Sequence, residues 1–317
     1  MKDPAKMLSE IEAKLSADVG PTGKVVTALS GGIDSTVAAF IAHRVLGDRV
    51  RSLFVDTGLL RAGEARQVVE RMRSQGIPLE LVDARKDFFA SLKGVTDPET
   101  KRKRIGETFI RVFEREAVSS QAKYLIQGTI APDWIESGGN LRDVIKSHHN
   151  VGGLPEKMAF TIVEPLRDLY KDEVRALAGL LQLPEPHRQP FPGPGLAVRV
   201  LGEVTEDRVA ILQRATAVVE EAVEKAVSEG KLRLPWQYFA VLLPVRSTGV
   251  TGDNRTYVDT IAVRMVESID AMSATASEPP AWLLRSISER ITRELVGKVN
   301  RVVYDITDKP PATIEWE

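Results

Sequence analysis

Short runs of β-branched and aliphatic residues alternate with longer segments of helical period through the first half of the chain. The runs predict strands at Lys24–Leu29, Val50–Asp56, Pro78–Asp83, Tyr124–Gln127 and Thr161–Glu164. Between them the apolar spacing predicts helices over Asp34–Leu46, Ala62–Gln75, Pro98–Ser120 and Lys171–Leu181. Strands separated by helices build βαβ units, so the fold class is α/β, with a parallel sheet flanked by helices. Ligands of such sheets bind beyond the carboxyl ends of the strands. Ser30, the segment Asp56-Thr57-Gly58 and Gly128 all fall there. Ahead of the first strand, Met7, Leu8, Ile11 and Leu15 form the apolar side of an amphipathic helix, without the continuous apolar core of a signal peptide. No apolar run approaches the ~20 residues that span a bilayer.

The alternation stops at Pro184, Pro186, Pro190, Pro192 and Pro194, interleaved with Gly193 and Gly195. Prolines this dense form neither a helix nor a central strand, and they read as a stiff extended linker. The expected division is therefore a first domain over 1–188 and a smaller domain over 189–317. In the latter, Thr205 caps a long helix with Glu206 and Asp207 in its first turn and Val209, Leu212, Val219 and Val223 along one stripe. Strands are expected at Tyr238–Leu243, Tyr257–Val266 and Arg301–Ile306, with a helix near Ala281–Val296. This grouping reads as α+β.

Composition narrows the picture little. The 317 residues suit two domains. A net charge of −1 argues against bulk affinity for nucleic acid or an anionic membrane. The chain has no cysteine, which excludes disulfides, thiolate zinc sites and a cysteine nucleophile, and fits a reducing cytoplasm.

The chemistry begins at Ser30-Gly31-Gly32-Ile33-Asp34-Ser35, between a strand and a helix. Glycines let a backbone approach an anion, and a helix N-terminus aims unpaired N–H groups at it. There is no Gly-Lys-Ser/Thr ending, so the lysine of a Walker A loop is absent. Asp34 instead suits a Mg²⁺–pyrophosphate, which favours chemistry at the α-phosphate with pyrophosphate leaving. Beside this loop, the strand end at Val55 is placed to read an adenine edge, and Gly128 follows the next strand end. Between Gly128 and Pro155, Asp133, Glu136, Lys146, His148 and His149 sit among glycines, as in a binding loop or lid. Adjacent histidines without further partners make a poor metal site. The run Lys101-Arg102-Lys103-Arg104 reads either as a solvated face or as a contact for a phosphate-bearing small substrate. The tail Lys309-Pro310-Pro311-Ala312-Thr313-Ile314-Glu315-Trp316-Glu317 reads equally as an anchored last segment or as a ligand-binding one.

Ser-Gly-Gly-x-Asp-Ser on a strand–helix turn resembles the pyrophosphate loop of the N-type ATP pyrophosphatases, of the adenine nucleotide alpha hydrolase-like fold. The stretches Ile145–Pro155, Gln189–Arg199 and Arg301–Glu317, with Phe54–Arg61, Asp97–Gly106, Asp133–Ser137 and Leu243–Tyr257, narrow this further. Together they resemble the ATP-pyrophosphatase subunits of glutamine-hydrolysing GMP synthetases. The resemblance implies that Ser30, Gly31, Gly32, Ile33, Asp34, Ser35 and Thr36 hold the phosphates of ATP, with Asp34 on Mg²⁺. It implies a lid carrying Asp133, Glu136, Lys146, His148 and His149. It also implies xanthosine monophosphate (XMP) bound by Arg102, Asp253, Lys309 and Glu315, assisted by Thr313, Ile314 and Arg199. Dimerisation through the second domain is implied as well. Relatives with a fused glutaminase use a cysteine nucleophile, so ammonia here is expected from a separate glutamine amidotransferase subunit. The rival expectations are another amidating pyrophosphatase, such as NAD synthetase, and a nucleotide-sensing protein without turnover.

Overall fold

A computed structural model describes residues 3–131, 161–183, 189–269 and 271–317. The chain divides into two compact units. The first comprises 1–56, 65–83 and 109–187, and the second 57–64, 84–108 and 188–317. The excursions 57–64 and 84–108 leave no mark in the hydrophobic pattern.

In the first unit, β1 (Val25–Leu29), β2 (Val50–Asp56), β3 (Leu79–Asp83), β4 (Tyr124–Ile126) and β5 (Thr161–Val163) form one sheet in the order β3-β2-β1-β4-β5. All four pairings are parallel. Helices α1 (Pro4–Val19) and α2 (Ile33–Leu46) pack with the later helix over Lys171–Leu180 in one cluster that includes Met7, Leu15, Val37, Ile41, Val174 and Leu177. A second cluster holds Val26, Leu53, Ala122 and Leu125, with Phe113 of the helix Pro98–Ser120 packed against it. Helices on both faces explain why the strands read as nearly continuous apolar runs. The expected strands and helices all appear, within two residues at each boundary. The helix Arg85–Leu92, which belongs to the second unit, was not expected.

In the second unit a long antiparallel hairpin, β6 (Gln237–Thr251) and β7 (Asn254–Glu267), carries β8 (Thr275–Ala276) antiparallel and β9 (Val299–Asp305) parallel, both paired to β7. Helices Glu206–Ser228 and Ala281–Glu294 complete the α+β layer, and Thr205 caps the first through Arg208 N at 3.3 Å. Both hairpin strands run past the expected limits. Their base is buried, but the outer residues Val250 and Tyr257 are exposed, so the apolar pattern fades there while the pairing continues.

Of the proline-rich stretch, Pro190, Pro192 and Pro194 lie in neither helix nor strand, as expected, and Gln237 Nε2 donates to Pro190 O at 2.9 Å. Residues 184–188 lie outside the described residues, but Gly195–Arg199 is a buried 3₁₀ turn. Leu196 N donates to Leu59 O at 2.7 Å, and Val200 bridges to Leu242 in parallel. The prolines fix the approach, and the apolar Leu196-Ala197-Val198 that follows is core. Among the described residues no helix is long and apolar enough to cross a membrane.

Candidate active site

The first unit's sheet reverses its strand order between β1 and β4, and the loops after these two strands face the resulting crevice. After Leu29 the chain curls on its own hydroxyls. Ser30 N donates to Ser35 Oγ at 3.1 Å, and the two Oγ atoms are 3.0 Å apart. Ser35 Oγ and Thr36 Oγ1 both donate to Gly32 O, at 3.1 and 2.8 Å. Gly31 has φ +81°, a left-handed conformation that L side chains rarely adopt. With the hydroxyls engaged inside the loop, no side chain caps α2 at Gly32. The first-turn N–H groups of Ile33, Asp34 and Ser35 are thus free of helical partners and carry the positive end of the helix dipole.

Gly128 packs directly under this turn. A Cβ there would lie 2.6 Å from Ser35 N and 2.7 Å from Ser35 Cα, so only glycine admits the approach of the β4 loop. Val55 is buried in β2, paired with Val82 one residue before the strand ends. Two cations sit at the loop that the motif reading missed. Lys171 Nζ donates to Asp34 Oδ2 at 2.6 Å, and Arg71 donates to Gly31 O at 2.8 Å. Asp34 Oδ1 is buried without a partner. An unpartnered carboxylate oxygen beside a dipole-positive turn fits a hydrated Mg²⁺ carried in on phosphates, the usual manner of holding that ion. No cluster of three acidic, histidine or cysteine residues suited to a metal occurs among the described residues.

In the second unit, three fully buried basic side chains organise the tail. Arg199 donates Nε to Glu315 Oε2 at 2.8 Å and Nη2 to Oε1 at 2.6 Å, and lies 3.9 Å over the Phe239 ring. Gln237 Nε2 donates to the same Glu315 Oε1 at 3.2 Å. Arg264 donates to Asp305 Oδ2 at 2.6 Å and to the carbonyls of Thr307, Thr313 and Ile314 at 2.9, 3.0 and 2.9 Å. Lys101 reaches Ala197 O, Val200 O and the Glu317 carboxylate. Burial holds its ammonium below the ordinary lysine range, and the Glu317 charge pulls it partly back. The basic run therefore divides: Lys101 is core, while Arg102 is exposed and paired with Glu99.

Among the expected XMP contacts, Arg199 and Glu315 thus come together. Thr313 Oγ1 turns back to Glu315 O, and Ile314 packs into the core cluster with Phe239 and Val241. Lys309 Nζ donates to Ala271 O at 2.8 Å. Asp253 stands exposed in the turn of the β6–β7 hairpin. Asp133, Glu136, Lys146, His148 and His149 lie outside the described residues.

Residues 7–130 match the NAD synthase family model, and residues 223–316 match the model of the GMP synthase C terminal domain. Over almost their whole lengths, curated relatives agree closely. The B subunit of the glutamine-hydrolyzing GMP synthase of Thermoplasma acidophilum is 54% identical over 98% of both chains. That of Pyrococcus furiosus is 58% identical over 98% of this chain and 97% of its own. That of Methanocaldococcus jannaschii is 54% identical over 100% of both. The chain belongs to the family of GMP synthase B subunits. The resemblance read from the motifs is borne out, and so is the α/β fold with its smaller second sheet.

The buried and paired cations left signals of unequal strength in the sequence. Lys171 left a faint signal, since a lysine at the first position of a helix opposes the dipole and needs another reason to be there. Arg264 left a clearer one: a charge inside the apolar run Ile261-Ala262-Val263-Arg264-Met265-Val266 demands a buried partner. Lys101 left none, hidden among neighbours of its own kind.

Proposed function

We propose that the chain is the synthetase component that aminates XMP to GMP with consumption of ATP, a ligase forming a C–N bond in purine nucleotide biosynthesis. The observation that carries this reading is the uncapped α2 turn, which joins Asp34 and Lys171 to a phosphate cradle that lacks a Walker lysine. The XMP C2 oxygen attacks the α-phosphorus of ATP; an oxygen–phosphorus bond forms as the bond to the β-phosphate bridge breaks and pyrophosphate leaves. Ammonia then adds at C2, the C2–oxygen bond breaks, AMP departs and a proton passes to solvent.

Ser30–Thr36 hold the β- and γ-phosphates by main-chain N–H groups, and Val55 and Gly128 line the nucleotide. Lys171 adds positive charge where pyrophosphate gains negative charge. Asp34 would hold Mg²⁺ through Oδ1; when bound, that ion neutralises charge on the leaving pyrophosphate. Asp133, Glu136, Lys146, His148 and His149 act at the adenylation step, and shielding it from water protects the adenylated intermediate. XMP is bound by Arg102, Arg199, Asp253, Lys309, Thr313, Ile314 and Glu315. Ammonia comes from a separate glutaminase, the companion chain that the relatives' designation as B subunits implies. The second unit mediates a homodimer, and the location is cytoplasmic. Neither nucleic acid nor membrane is a partner.

The match of residues 7–130 to NAD synthase includes the proposed ATP loop, whereas all the proposed XMP contacts but Arg102 lie beyond it, most of them within the match to the GMP synthase C terminal domain at 223–316. Incubating the purified chain with XMP, MgATP and millimolar ammonium is expected to yield GMP, AMP and pyrophosphate in equal amounts. Absence of GMP under these conditions rejects the proposal.

A further inference from the structure

Lys101 is the one member of the run 101–104 that is buried, and it is buried completely. Its ammonium has three acceptors: Ala197 O at 3.2 Å, Val200 O at 2.8 Å and Glu317 Oε2. Ala197 lies in the turn that carries Arg199, and Val200 directly follows it. Glu317 stands two residues beyond Glu315, and its other oxygen accepts from Gly202 N at 3.3 Å. Arg102 is the next residue after Lys101 on the same helix. A single charge thus joins the three segments that carry Arg102, Arg199 and the tail residues.

The fold alone does not call for an ammonium here. Burying it forfeits hydration, and an apolar side chain of similar volume packs as well or better. What a lysine supplies is direction: three acceptors around one nitrogen fix the mutual placement of their segments, where apolar contacts would let them slide. We propose that Lys101 is a positioning residue for the XMP-binding part of the site, holding the Arg102 helix, the Arg199 turn and the tail in one arrangement before substrate arrives. This rests on the assignment of XMP to those segments given above.

Two variants test it in steady-state kinetics with ammonium as nitrogen donor. Lys101→Met/Glu317→Leu replaces the pair by apolar side chains and preserves the fold. Glu317→Gln keeps the shape and removes the charge. In both, the KM for XMP is expected to rise about tenfold, the change that accompanies about 1.4 kcal/mol of misplacement. The KM for ATP and the kcat at saturating XMP are expected to stay within about twofold of wild type, since the tail does not carry the ATP loop. A KM for XMP that stays at the wild-type value in both variants overturns the proposal. So does a parallel rise in the KM for ATP, the mark of a generally loosened fold. If the wild-type chain itself forms no GMP, the XMP assignment fails first and takes this proposal with it.

Discussion

Asp34→Asn is expected to slow pyrophosphate release by about 10²–10³-fold while leaving the folded chain nearly as stable as wild type. The asparagine keeps the side-chain shape at the α2 turn but removes the charge that pairs with Lys171 and that the proposal assigns to holding Mg²⁺. The ion pair itself contributes little to stability, because Lys171 is 43% and Asp34 22% exposed and such pairs are screened by water. The loss therefore falls on chemistry. Pyrophosphate release in MgATP, XMP and ammonium, alongside a thermal unfolding curve, separates the two effects. A rate within about tenfold of wild type would remove Asp34 from the phosphate site.

Arg264→Met is expected to have the largest effect on stability, a loss of about 3–5 kcal/mol. The guanidinium is fully buried, and four acceptors lose a donor at once: Asp305 Oδ2 and the carbonyls of Thr307, Thr313 and Ile314. Asp305 keeps only Trp316 Nε1, at 3.0 Å, among the side-chain donors to Oδ2. Unlike the Lys101–Glu317 replacement, this change leaves a carboxylate behind without its counter-charge, the costly case. Three of the four tryptophans, Trp236, Trp282 and Trp316, lie in the second unit, so fluorescence-detected urea unfolding reports on it. An unchanged midpoint would show that the tail does not depend on Arg264.

The layers of the fold were legible wherever burial writes a period into the chain. The parallel strands, covered on both faces, stood out as apolar runs, and the helix Pro98–Ser120 was expected at its observed limits. Legibility failed where pairing continues without burial, as in the outer hairpin around Val250 and Tyr257, and where prolines lead into core, as at Gly195–Arg199. The Gly31-Gly32 turn was legible because paired glycines and hydroxyls between an apolar run and a helical period mark a strand–helix junction, and the chain turns there with Gly31 at φ +81°. Lys171 and Lys101 were not, because a lysine's role depends on what meets its ammonium, and those partners lie 137 and 216 residues away in sequence. Glu315 shows the same limit from the other side. Nothing in its neighbourhood along the chain announces that both of its oxygens accept from Arg199, 116 residues away.

In the proposed reaction the XMP C2 oxygen attacks the α-phosphorus of ATP. XMP labelled with ¹⁸O at C2, turned over with MgATP and ammonium, tests it most directly. The label is expected in the phosphoryl group of AMP, one atom per GMP formed, with none in pyrophosphate. Label released to water, or found in pyrophosphate or inorganic phosphate, would contradict it.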